Sequence, residues 1–297
     1  MSAKVSVIVN FHNSEKYIEE CLNSIINQTY ENLEIVLWDN CSTDKTYKVI
    51  KKFKDKRIKY FYNEKKESLY KARNNAILNS TGDLIAFLDS DDWWDKDYIK
   101  SRSTFFESTD YDFSYCNTNF FYEKNKKKKI YKKYDLPDGL IYDSLSKDYF
   151  IIISGVIFKK HIFKKYGFFN DKFNIIGDYD FLMTISKSCK AHSINLPLIN
   201  YRVHKDNYSK NHSKLFYQEY QMWFDQNYLQ KDNKHFYKNL KYFRNKLSYL
   251  EISTVLINES KSFILLKKIL KHENIFEKIK FLILYLVPKK YFKFLKK

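Results

Sequence analysis

Glycine and proline are scarce in this chain, five and three among 297 residues. That excludes collagen-like and linker-rich architectures, which need both in quantity. Only four cysteines are present, Cys21, Cys41, Cys116 and Cys189, and no two form a CxxC pair. Neither a thiolate zinc site nor a small disulfide scaffold is expected, and a reduced intracellular chain is the simplest reading. Long apolar runs are missing too. The longest near the end is FLILYLV, Phe281–Val287, far short of the ~20 residues of a membrane-spanning helix. The N-terminus opens on a strand-like run rather than a basic stretch followed by an apolar one, so no secretory leader is read.

Aromatic and basic residues are abundant instead. There are 26 Tyr and 25 Phe, and 53 Lys and Arg stand against 35 Asp and Glu, a net charge of +18. The hydrophobic share of 44% excludes a disordered chain. The charge is unevenly spread. Residues 1–209 hold 34 basic and 28 acidic side chains; residues 210–297 hold 19 and 7. That asymmetry predicts a boundary near 205–215, with a basic amphipathic helical tail over 210–297.

The first part alternates strands with helices. VSVIVN (5–10), LEIVLWD (33–39), IKYFYN (58–63) and DLIAFLD (83–89) are short β-branched or apolar runs suited to a buried parallel sheet. Between them, Ile18, Cys21, Leu22 and Ile25, then Tyr47, Ile50 and Phe53, then Tyr70, Ala72, Ala76 and Ile77 recur at helical spacing. Ser14, Ser42 or Thr43, and Ser68 are the expected helix caps, and Gly82 the expected stop of the third helix. The alternation predicts an α/β fold with a mostly parallel sheet and helices on both faces. Ligands bind such sheets beyond the carboxyl ends of the strands. Three of the four strands end there in polar residues, at 10–13, at 39–40 and at 89–92.

Four clusters carry chemistry. FLDSDDWW (87–94) packs three carboxylates into four positions, where like charges raise one another's pKa unless a cation sits among them. Mg and Mn prefer such oxygens and phosphates; the alternative is a helix start with Ser90 or Asp91 as cap. GDYDF (177–181) offers a carboxylate as general base, or another helix start. In YRVH (201–204), His204 suits a metal and Arg202 a phosphate. KARNNA (71–76) sets Arg73 near a helix start, where a solvated face is the alternative.

Together and in this order, VSVIVNFHN (5–13), EIVLWDNCSTDKT (34–46), KARNNAI (71–77), GDLIAFLDSDDWW (82–94), GFF to GDYDF (167–181) and YRVH (201–204) resemble the glycosyltransferase 2-like family of the GT-A fold. The resemblance spans roughly 3–209. It implies a nucleotide-binding part at about 1–95 and an acceptor part at about 96–209. It implies that Val9, Asn10, Phe11 and Asn13 form the first nucleotide-contacting loop. Asp39 would bind the base, uracil being expected, with Arg73 near the diphosphate or base and Asp89 on the ribose side. Asp91, with Asp92 as a rival, and His204 would hold a divalent cation, Mn or Mg. Asp178 would be the catalytic base. Two departures stand out: Asn10 and His12 replace the usual Pro and aromatic, and Gly177 replaces the first acid of the usual acidic pair.

The implied activity is metal-dependent, inverting transfer of a sugar from a nucleoside-diphosphate sugar to a hydroxyl of a glycan or lipid-linked acceptor, in cell-surface polysaccharide or lipopolysaccharide synthesis. A metal-dependent nucleotidyltransferase, a nucleotide-sugar binder without turnover and a nucleic-acid binder are the competing readings. No nucleic-acid partner is expected, because the basic excess lies in the tail while the mouth of the sheet is acidic. In the tail, Phe263, Leu266, Ile269 and Leu270, then Phe276, Ile279, Ile283 and Leu284, recur at helical spacing beside lysines, ahead of KKYFKFLKK (289–297). This pattern suits an anionic membrane surface, predicting a cytoplasmic protein peripheral on the membrane's cytoplasmic face, or else an apolar face docked on the catalytic domain.

Overall fold

A computed structural model describes residues 2–103, 105–258 and 262–286. The chain divides into two compact units, residues 1–205 and 206–297.

The first unit is built on a nine-stranded sheet. Its strands are β1 (Val5–Phe11), β2 (Leu33–Asp39), β3 (Ile58–Tyr62), β4 (Leu84–Phe87), β5 (Trp93–Trp94), β6 (Phe113–Tyr122), β7 (Lys127–Ile130), β8 (Val156–Lys159) and β9 (Ala191–Val203). The strand order is β3-β2-β1-β4-β8-β6-β9-β5, with β7 hairpinned onto β6. β3, β2, β1 and β4 run parallel, so their carboxyl ends open on one side. In this order β1 lies between β2 and β4, which brings residues 10–13 between Asp39 and Asp89.

The helices are α1 (Ile18–Ile26), α2 (Thr46–Ile50), α3 (Leu69–Leu78), α4 (Lys100–Ser103), α5 (Phe105–Ser108), α6 (Tyr142–Lys147), α7 (His161–Tyr166) and α8 (Gly177–Ile185). Alternation along β1 sends Val5, Val7, Val9 and Phe11 into one core with Ile18, Cys21, Leu22 and Ile25 of α1. Helix α3 packs on β1 and β2 and buries Tyr70, Ala72, Ala76 and Ile77. An aromatic cluster joins Tyr70 of α3, Phe87 of β4 and Phe181 of α8 through Phe169, which precedes α8, with ring centroids 4.9–5.6 Å apart. It fixes the start of α8 against α3.

Several sequence expectations change. Ser68 does cap α3, accepting from the Lys71 N–H. Ser14, Ser42 and Thr43 cap nothing: α1 starts after Tyr17 and α2 after Lys45, neither with a side-chain cap. Their polar groups bridge loops instead, as described below. Gly82 is not a helix stop, because α3 ends at Leu78. A Cβ there would lie 2.7 Å from Lys4 O and Ser6 N, so Gly82 permits close approach to β1. No helix starts within DSDD; Trp93 and Trp94 form β5. KNKKKK (124–129) is exposed throughout, but only its first half is the hairpin tip: Lys127–Lys129 belong to β7 and pair with Tyr122–Phe120 of β6.

The second unit comprises α9 (Tyr208–Asn211), α10 (Ser213–Leu229), α11 (Lys234–Lys238), α12 (Leu240–Asn258), α13 (Phe263–Lys271) and α14 (Ile275–Leu286). Trp223, Phe236 and Phe243 join α10, α11 and α12, with ring centroids 4.9–5.9 Å apart. Leu265, Ile269 and Phe281 of α13 and α14 pack with Ile252 and Leu256 of α12. The expected tail stripe is thus split: Ile269 is buried, while Phe263, Leu270, Phe276, Ile279 and Ile283 are exposed. Among the described residues no helix is long and apolar enough to cross a membrane. Val287 and the basic KKYFKFLKK segment lie outside the described residues.

Candidate active site

Three loops meet beyond the ends of β1, β2 and β4, held by hydroxyls and amides that the strand pattern leaves free. Asn13, at φ 55°, accepts from the Thr43 N–H (2.8 Å) and donates its own N–H to Ser42 Oγ (2.9 Å). Asn tolerates that left-handed backbone better than most side chains. The Ser14 N–H donates to Thr46 Oγ1, and Ser14 Oγ lies 2.8 Å from Ser90 Oγ. Asp39, 1% exposed, accepts from the Ser42 N–H and from the Tyr60 hydroxyl, both at 2.7 Å. Val9 and Phe11 turn their side chains into the core, so any ligand would meet only their backbone. Asn10 is buried between them on the opposite face, and among the described residues neither end of its amide has a hydrogen-bond partner. Unmade buried bonds are costly, and this amide lies between the strands that carry Asp39 and Asp89.

The three acids of DSDD part company. Asp92 is 1% exposed; its carboxylate accepts from Ser154 Oγ (3.0 Å) and the Arg202 N–H (2.9 Å). Burial first, then the charges of Asp91 and Asp89, push its carboxyl well up. Asp91 is partly exposed, with Oδ2 2.8 Å from His204 Nε2. Arg202 does not face solvent: it donates to Asp91 O (2.8 Å), pairs with Glu20 and stacks on Trp93, 4.5 Å from the ring centroid. It holds the acidic loop rather than presenting itself to a phosphate.

Asp89 pairs with the guanidinium of Arg73. Arg73, 2% exposed, is not on a solvated helix face; it sits over Tyr70, 5.4 Å from the ring centroid. Asp178, in the first turn of α8, accepts from the Tyr70 hydroxyl and the Tyr179 N–H, both at 2.9 Å and both on Oδ1. Burial raises its carboxyl above the usual range, opposed by the charge of Arg73 and these two hydrogen bonds. A carboxyl so raised is suited to taking a proton.

The structure therefore gathers Asp39, Asn10, Asn13, Arg73, Asp89, Asp91, His204 and Asp178 at one end of the sheet, and turns Asp92 inward. The sequence reading misses Ser154 and Glu20 and takes Tyr70 only as an apolar position of its helix, because nothing in their local pattern marks which distant acid or arginine they meet. Among the described residues no three His, Cys, Asp or Glu side chains gather around one point. Asp91 and His204 would be the two side-chain donors for a cation here. The carboxylate suits Mg or Mn, which are commonly held through one or two carboxylates with substrate phosphates and water completing the shell.

The glycosyl transferase family 2 model matches residues 6–188. An Escherichia coli protein described as the UDP-Glc:alpha-D-GlcNAc-diphosphoundecaprenol beta-1,3-glucosyltransferase WfaP is 35% identical over 213 residues, covering 71% of this chain and 81% of that protein. WfgD of Escherichia coli, described with the same activity, is 30% identical over the same shares. Among solved structures, residues 1–349 of Staphylococcus aureus TarS in complex with UDP-GlcNAc align with TM-score 0.62 and 18% identity over 98% of this chain and 91% of that one. The mannosyltransferase PcManGT of Pyrobaculum calidifontis, in complex with GDP-Man and Mn2+, aligns with TM-score 0.62 and 16% identity over 99% and 88%. The likeness to these solved structures establishes a fold of the GT-A type. With the family model covering most of the first unit, the chain belongs to glycosyl transferase family 2 and is a glycosyltransferase.

Proposed function

We propose that this glycosyltransferase moves a sugar from a UDP-sugar to a hydroxyl of a lipid-diphosphate-linked glycan, with inversion at the anomeric carbon, in the synthesis of a cell-surface polysaccharide. The observation that carries the reading is the polar mouth at the ends of β1, β2 and β4, where Asp39, Asn10, Arg73, Asp89, Asp91 and His204 converge with Asp178 beside them. The printed activities of WfaP and WfgD support the donor and acceptor classes.

In this reading Asp39 and the free Asn10 amide meet the nucleoside, and Asp89, oriented by Arg73, meets the ribose. The acceptor oxygen attacks the anomeric carbon, and its proton passes to Asp178 Oδ2, the oxygen without a hydrogen bond among the described residues. The bond from that carbon to the diphosphate breaks, and its electron pair leaves with the nucleoside diphosphate. Asp91 and His204 would hold a divalent cation, which offsets charge on the leaving diphosphate. Asp92, buried and satisfied, maintains the loop that aims Asp91.

The proposed home is the cytoplasmic face of a membrane, reached through the second unit. Phe263, Ile264, Ile275, Phe276, Ile279 and Leu286 are all more than half exposed on α13 and α14. Apolar side chains beside lysines suit the headgroup layer of anionic lipid.

A donor panel tests the function. Purified protein with UDP-, GDP- and other nucleotide-sugars and a polyprenyl-diphosphate-linked acceptor should release nucleoside diphosphate from a UDP-sugar, more so with Mn or Mg. Release of pyrophosphate, or donor binding without turnover on any acceptor, would contradict it.

A further inference from the structure

We propose that Tyr70 is a positioning residue for the base of the transfer reaction, and that Gly177 is the residue that admits it. The inference rests on the assignment of Asp178 as that base.

Tyr70 lies on α3 and is 1% exposed. Its single hydroxyl proton faces two acceptors, Ile175 O and Asp178 Oδ1, each at 2.9 Å. When Asp178 is ionised, the carboxylate is the stronger acceptor and takes the bond. The Tyr179 N–H also reaches Oδ1. Both hydrogen bonds therefore hold one oxygen of the carboxylate and leave Oδ2 to receive the proton. A phenol that donates to the charged form favours that form.

The backbone next to Asp178 is shaped around this ring. A Cβ at Gly177 would lie 2.5–2.6 Å from three carbons of the Tyr70 ring. A contact that short is not sustained, so any other residue at 177 expels the ring or shifts the first turn of α8. This is a physical reason for Gly177 in place of the first acid of the pair that the family resemblance implies. The groups facing Asp178 are Tyr70 and Arg73 of α3, Asp89 after β4, and Tyr149. Of these, Tyr70 is the neutral donor in contact with it, and Arg73 is occupied by Asp89.

Tyr70→Phe tests the proposal, since it keeps the ring and removes only the hydroxyl. The expected results are a kcat lowered about tenfold to a hundredfold, an unchanged donor KM, and the acidic limb of the kcat–pH profile moved up by about one unit. In the Asp178→Asn background, the same change should cost little more. Wild-type kcat with an unmoved limb in Tyr70→Phe, while Asp178→Asn is severely impaired, would overturn the positioning role alone. Full activity in Asp178→Asn would overturn the base itself. An equal loss of UDP affinity in Tyr70→Phe would make Tyr70 a packing residue, also against the proposal. Gly177→Ala, checked for folding by its thermal transition and UDP binding, should reproduce the kcat loss and the limb shift; wild-type behaviour there would contradict the steric argument.

Discussion

Asp91 and Asp92 are neighbours in sequence and face opposite ways. Asp91 Oδ2 meets His204 Nε2 at 2.8 Å, whereas Asp92 is buried against Ser154 Oγ at 3.0 Å and the Arg202 N–H at 2.9 Å. One acid is available to a ligand, and the other is part of the frame. Ser154 couples the two sides of the loop, because its Oγ also accepts from the Asp89 N–H at 3.2 Å.

That opposition separates two variants. Asp91→Ala should abolish metal-stimulated turnover and shift the thermal midpoint by less than about 2 °C. Asp92→Ala leaves two buried donors unsatisfied and should lower the midpoint by about 5–10 °C. Differential scanning calorimetry beside a metal titration reads both. Metal-stimulated activity surviving in Asp91→Ala but lost in a folded Asp92→Ala would reverse the assignment.

Asp178→Asn should lower kcat by about 10²–10⁴-fold and leave donor affinity unchanged, because a base acts only in the transfer step. The raised carboxyl of Asp178 also sets the sign of the pH dependence. As the proposed base Asp178 would have to be ionised, so the rate should fall as pH drops through a value above the ordinary ~3.9 of aspartate. Steady-state kinetics with saturating donor check both. A normal rate with weakened donor binding would make Asp178 a binding residue.

How much of this was legible in the sequence follows from chemistry that is local or not. β1 to β4 and α1 to α3 announced themselves, because runs such as Val5–Val9 and spacings such as Ile18, Cys21, Leu22 and Ile25 record burial directly. β6 and β9 did not. Asn117, Thr118 and Asn119 break the apolar run of β6, Pro197 interrupts β9, and their pairing shifts register at Asn117. The acids at strand ends were visible as types, but which of them turns inward was not. Ser154 and Arg202 decide that, and they lie 62 and 110 residues from Asp92. Ser68 caps α3 as expected, but Ser14 and Ser42 serve loops across the mouth rather than their own helices, for a related reason.

Acid should destabilise the first unit through Glu34. This carboxylate is 2% exposed and accepts from Lys59, Ser6 and Thr81. Burial raises its pKa, but the hydrogen bonds outweigh that and bring it well below the carboxylate range. A depressed folded pKa contributes stability above the unfolded value of ~4.3, and that stability is lost as pH falls below it. Glu34→Gln should lower the thermal midpoint at pH 7 by about 3–10 °C and flatten its decline between about pH 5 and pH 3. Parallel declines in both proteins would place the acid sensitivity elsewhere.

Anionic vesicles should capture the full chain and release it at high salt. Phe263→Ser with Phe276→Ser changes two side chains that are 68% and 81% exposed, so folding should persist while sedimentation falls several-fold. Binding that both proteins show equally, or that neither shows, would remove the membrane from the account.

The most direct measurement is the anomeric configuration of the product. Wild-type protein, an α-linked UDP-sugar and a polyprenyl-diphosphate-linked acceptor should give one equivalent of UDP and a β-linked glycoside, read from the anomeric proton coupling by NMR, with the yield collapsing in Asp178→Asn. An α-linked product, or β-linked product formed at an undiminished rate by Asp178→Asn, would contradict inverting transfer with Asp178 as its base.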